Sequence, residues 1–104
     1  MIDWKRISSF EWDDGNARKN ADKHADKHAV GQSEAEQAFF NEPLLTVPDR
    51  KHSVAELRVH ALGRTDEGRL LHITFTLRAD GTKIRVISAR DMSRRERSYY
   101  EQET

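Results

Sequence analysis

Hydrophobic and polar positions repeat along this chain with two different periods, and the change of period divides it. Near the start, Phe10-Glu11-Trp12 reads as a short extended stretch that ends in the turn-forming run Asp13-Asp14-Gly15-Asn16. From about Asn16 to His28 neither Gly nor Pro occurs, and Ala17, Ala21, His24 and His28 recur at offsets of 4, 3 and 4. That spacing predicts a helix with a narrow stripe on one face. The stretch holds a direct repeat, Ala21-Asp22-Lys23-His24 then Ala25-Asp26-Lys27-His28. One helical turn is about 3.6 residues, so the repeat presents Lys and His twice, rotated by only ~40°. Gly31 breaks the pattern. Ser33 with Glu36 reads as a capping box opening a second helix to Phe40, with Ala35, Ala38 and Phe39 facing inward and Pro43 as its stop.

Beyond Pro43 the period falls to two. Leu44 to Val47 predicts a strand closed by Pro48-Asp49-Arg50. Leu57, Val59 and Ala61 alternate with Glu56, Arg58 and His60; Leu71, Ile73, Phe75 and Leu77 alternate with His72, Thr74, Thr76 and Arg78. Lys83 and Arg85 alternate with Ile84 and Val86 until Ile87 interrupts. The turns Gly63–Gly68 and Ala79-Asp80-Gly81 are hairpin-like. Such strands bury one face and leave the other wet, which predicts a solvated face of Arg58, His60, His72, Thr74, Thr76, Arg78, Lys83 and Arg85. Ser93 with Glu96 forms another capping box, opening a helix through roughly Gln102. The expectation is an α+β fold: two N-terminal helices, a four-stranded antiparallel sheet and one C-terminal helix, with residues 1–104 as a single domain.

Composition narrows the class. No apolar run approaches the ~20 residues of a membrane-spanning helix, and Met1-Ile2-Asp3-Trp4-Lys5-Arg6 lacks the apolar core of a signal peptide, so a cytoplasmic protein without a membrane partner is expected. The absence of cysteine excludes disulfides and thiolate metal sites. Eighteen basic residues balance eighteen acidic ones. The balance hides an asymmetry: residues 57–97 hold ten basic against five acidic side chains, and nine of the ten are Arg. Arg presents a planar fork that matches phosphate oxygens, so this half suits a phosphate-binding face.

Metal-free cleavage of RNA needs a base for the 2′-hydroxyl, cations for the charge that builds on phosphorus, and an acid for the leaving oxygen. His24, His28, His52, His60 and His72 beside the Arg set provide those residue types. His24 and His28 are also spaced to share an ion, but His-Ala-Asp-Lys-His lacks the Glu of the His-Glu-x-x-His metalloprotease motif, and neither metal nor cofactor is expected. Trp4, Trp12, Tyr99 and Tyr100 suit base stacking, although packing is the commoner use of aromatics.

An ordered set of segments resembles the BrnT toxins over nearly the whole chain. It comprises Phe10-Glu11-Trp12-Asp13, Asn20, a Lys-His pair, the run Glu34 to Phe40, and Arg50-Lys51-His52-Ser53 with Glu56 and Arg58. It continues through Leu62-Gly63-Arg64-Thr65, the run Ile84 to Arg90, and Arg94-Arg95-Glu96-Arg97 with Tyr100. The resemblance implies a RelE-like fold and an mRNA endoribonuclease that inhibits translation. It further implies neutralisation by a BrnA-like ribbon-helix-helix antitoxin, with DNA contacted only through the complex. Carried over by position, it places Lys27, His28, Arg64, Arg85, His52 and Glu56 in catalysis. The solvated sheet face supplies the expected RNA-binding residues Arg58, His60, His72, Arg78 and Lys83, and Arg90, Arg94, Arg97 and Tyr100 are expected on the antitoxin surface. The tetrapeptide repeat leaves two Lys-His pairs open: Ala29-Val30 aligns Lys27-His28 with the family's Lys-His-Gly-Val, whereas the distance from Asn20 fits Lys23-His24. Ala29 replaces the usual Gly, and Asn16 a common Lys. A reading from another class is a non-catalytic antitoxin-binding corepressor, if the extra turn abolishes cleavage.

Overall fold

A computed structural model describes residues 2–12, 30–51 and 56–104. Five strands form one sheet: β1 (Ser9–Glu11), β2 (Leu45–Pro48), β3 (Arg58–Arg64), β4 (Leu70–Arg78) and β5 (Lys83–Asp91). Their order is β1-β5-β4-β3-β2. Strands β2 to β5 form the antiparallel meander the alternation predicts, but β1 adds a fifth strand parallel to β5, so the sheet is mixed. The short extended stretch read at Phe10-Glu11 falls within β1, but its pairing across more than seventy residues leaves no local signal.

Two α-helices accompany the sheet among the described residues: α1 (Gln32–Ala38) and α2 (Arg94–Glu103). The helix expected over 16–28, with the Lys23-His24 and Lys27-His28 pairs, lies outside the described residues. Helix α1 starts earlier than its Ser33–Glu36 signal. Gly31 is the N-cap, and the Glu34 carboxylate accepts from its backbone N–H at 3.2 Å. Glu36 is used elsewhere, accepting from the Trp12 indole at 2.8 Å. The Ser93–Glu96 box forms as predicted, with Ser93 Oγ accepting from Glu96 N at 3.2 Å and Glu96 from Ser93 N at 2.8 Å.

The core lies between α1 and one sheet face. Ala35 and Ala38 meet Val59, Ala61, Leu71, Ile73, Phe75, Ile84 and Val86, all buried. Trp4, Phe10 and Phe39 close its margin, with Phe39 edge-on to Phe75 at 5.1 Å. The Ile87 interruption is a β-bulge: Phe75 pairs with Val86 but Thr74 with Ser88. One extra residue resets the alternation, so Ala89 returns to the core side and Arg90 joins the opposite face.

Candidate functional site

The face opposite the core is set by register, in rows across the strands. Arg58, Thr76, Arg85 and Glu11 form one row, and Arg78 with Lys83 the next. On the other side lie His60, Thr74 and Ser88, then Leu62, His72 and Arg90. All eight residues predicted for the polar face share this surface. It is drier at its centre than an open antiparallel face, since Thr74 and Thr76 are buried and Thr76 donates to the Leu57 carbonyl.

The histidines sit in this dry centre. Their rings stack at 5.0 Å with an interplanar angle of 36°. His60 is held at both ring nitrogens, Nδ1 against Thr74 Oγ1 at 3.0 Å and Nε2 against Asp49 Oδ2 at 2.9 Å. His72 Nε2 lies 3.8 Å from Glu96 Oε2, with only 12% of its side chain exposed. Glu96 belongs first to Arg90, which donates to it bidentately at 2.8 and 2.9 Å. Arg90 and the Ser93 N–H thereby hold the Glu96 carboxyl at about 2. Burial, reinforced by the Arg90 charge, pushes the His72 imidazole below its ordinary value of 6.5. His72 is therefore a neutral ring at neutral pH.

At the other end the cations are cross-braced. Arg85 donates to Glu11 at 3.1 Å, and Arg78 lies 3.4 Å from Glu56. Glu11 reaches Arg85 only because β1 pairs in parallel with β5, and Asp49 reaches His60 only because β2 pairs with β3. Neither partner is visible in local pattern. Strand register was the one signal able to reveal them.

The structure gathers Arg58, Arg78, Lys83 and Arg85 at one end of the face and His60, His72 and Arg90 toward the other. Arg64 stands apart. It pairs with Leu70, six residues along β4 from the Thr76 that faces Arg85. That puts ~20 Å of strand between their backbone positions. Arg64 instead lies near Tyr100, whose hydroxyl donates to the Pro43 carbonyl at 2.6 Å. Tyr100 is buried, and its ring fastens α2 to the body. Arg94, Arg97 and Tyr99 are exposed. Lys27, His28 and His52 lie outside the described residues. Among the described residues no three His, Asp or Glu side chains converge as a metal site, and no helix is long and apolar enough to cross a membrane.

This arginine-lined sheet face falls within a stretch, residues 12–96, that matches the family model described as ribonuclease toxin, BrnT, of type II toxin-antitoxin system. The chain belongs to the BrnT family. No curated protein matches its sequence. As a BrnT-family member it is a ribonuclease toxin of the type II class, a class that implies an RNA substrate and an antitoxin partner. Two segments that carried the BrnT resemblance, Glu34 to Phe40 and Leu62 to Thr65, pack on each other. Asp66 N donates to Gln37 at 3.0 Å, Asn41 donates to the Arg64 carbonyl at 2.9 Å, and Gly63 lies under the end of α1.

Proposed function

We propose that this BrnT-family chain is a metal-independent endoribonuclease that cleaves mRNA, acts in the cytoplasm, and is neutralised by a BrnA-like ribbon-helix-helix antitoxin that alone contacts DNA. The observation that carries the reading is the shared face of Arg58, Arg78, Lys83 and Arg85 next to the histidine pair, in a chain of a ribonuclease-toxin family. In this reading Arg58 and Arg85 clamp the scissile phosphate and stabilise charge on it. A base from the Lys27-His28 segment takes the 2′-hydroxyl proton, the oxygen attacks the adjacent phosphorus, and the 5′-oxygen leaves with a proton from an acid. The products are a 2′,3′-cyclic phosphate and a 5′-hydroxyl, so no water is consumed in the step. His52 and Glu56 support the site, with Glu56 acting through Arg78. Arg64 contacts a more distant phosphate. Arg90, Arg94 and Arg97 face the antitoxin, with exposed Tyr99 in place of Tyr100.

The test is cleavage of a labelled RNA in EDTA, with and without ribosomes, by the parent and Arg85→Ala. Cleavage by the parent and at least tenfold less by Arg85→Ala is expected. Equal activity in both moves the site off this face. Inactivity of a folded parent in both conditions leaves the corepressor reading, in which the four extra residues of the repeat abolish cleavage.

A further inference from the structure

On the core side of the sheet, a groove of about 870 Å³ opens between β1 and the end of α1. Phe10 and Ile84, register partners on β1 and β5, line it together with Trp4, Phe39, Phe40 and Leu44. The rings run in series: Trp4 lies 6.2 Å from Phe39, Phe39 5.5 Å from Phe10, and Phe10 5.9 Å from Phe40. Both ends of the series meet solvent, since Trp4 is 40% exposed and Phe40 77%. An aromatic row left open to water is the surface a protein partner covers, because aromatic rings concentrate at protein interfaces.

Charge narrows what fits. Among the described residues that line the groove, the charged ones are Glu36 and Glu42, and none is Lys or Arg. Glu36 is held by the Trp12 indole, and Glu42 is exposed. Two carboxylates repel a phosphate backbone, so the groove does not extend the RNA face. They favour bulky apolar side chains bordered by Lys or Arg. The groove also adjoins the helix assigned to the antitoxin. Pro43 lines it, and the Pro43 carbonyl accepts from Tyr100 of α2, which exposes Arg94, Arg97 and Tyr99.

We propose that this groove anchors the antitoxin, through an apolar segment bordered by basic side chains that reaches it past α2. This rests on the antitoxin partner named above. Phe10 and Ile84 face the core side, whereas Glu11 and Arg85 beside them face the other, so the anchor holds the toxin without touching the cation cluster.

The experiment measures Kd between the full-length chain and the antitoxin encoded with it, both purified, at low and high salt, beside thermal unfolding of each variant. Phe40→Ala removes the most exposed ring and is expected to weaken binding at least ~10-fold, with Tm close to the parent's. Glu42→Lys is expected to weaken binding ~3- to 10-fold at low salt and less at high salt. An antitoxin Kd in folded Phe40→Ala equal to the parent's overturns the proposal. So does unchanged or tighter binding by Glu42→Lys, which decides alone if Phe40→Ala does not fold. Self-association of the parent that Phe40→Ala abolishes, with its antitoxin Kd unchanged, gives the groove to a second copy of the chain and also overturns it. A folded parent that binds no antitoxin overturns the partner assignment and this proposal together, which separates that failure from the others.

Discussion

Glu96 holds three ties at one carboxylate: it caps α2, takes the bidentate Arg90 and faces His72. Arg90, then the Ser93 N–H, holds it at about 2 against an ordinary 4.5, so the folded state prefers the carboxylate. Its stabilising contribution is full above pH 4.5 and is lost as pH falls toward 2. His72 moves the same way for another reason. Burial disfavours its cation, so stability is full above pH 6.5 and declines below it. Urea unfolding across pH is expected to show two declines, one beginning near 6.5 and one between 4.5 and 2. Glu96→Gln should remove most of the second, on the order of 1 kcal/mol once screening at the half-exposed Arg90 is allowed for. An unchanged acid limb in Glu96→Gln would mean that the pair adds nothing to stability.

At the scale of elements, α1 owes its seat to a missing side chain. A Cβ on Gly63 would lie 2.9 Å from the Ala38 carbonyl oxygen and 3.1 Å from the Leu44 side chain. The first contact is with backbone at the end of a helix, which cannot swing aside. Gly63→Ala is expected to destabilise the fold by about 1–3 kcal/mol in urea unfolding, and a loss under ~0.5 kcal/mol would mean the joint is loose. The joint also explains what the sequence conveyed and what it withheld. Alternation over 57–61, 71–78 and 83–87 gave β3, β4 and most of β5, because each of those strands buries one face. Ile87 broke the alternation where the bulge lies, so the failure of the pattern was itself a structural feature. The parallel pairing of β1 with β5 and the Glu34–Arg69–Asp91 clamp both depend on contacts between residues far apart in the chain. Local periodicity carries no trace of them.

Across the whole molecule, zero net charge coexists with a sheet face on which four cations share one end. The residue types of that face were legible from alternation, but their spacing was not. Arg64 and Arg85 both sit on motif segments, yet register separates them by ~20 Å and leaves Arg64 beside α2. Residues that grip one phosphate lose binding non-additively, whereas residues gripping separate phosphates lose it independently. Arg64→Ala, Arg85→Ala and the double variant can therefore be compared for affinity to a 2′-deoxy oligonucleotide that resists cleavage, at several salt concentrations. The expected double-variant loss equals the sum of the single losses to within ~0.5 kcal/mol. Each substitution is expected to reduce the salt slope by ~0.7, the value for one phosphate on a single strand. A coupling above ~1 kcal/mol would show that bound RNA brings the two guanidinium groups to a common phosphate, and that the sheet face closes around its substrate. Additivity would instead extend the footprint from Arg85 across the histidine pair to the foot of α2. An antitoxin bound through Arg90, Arg94 and Arg97 would then cover the far end of the RNA path while leaving the cation cluster open.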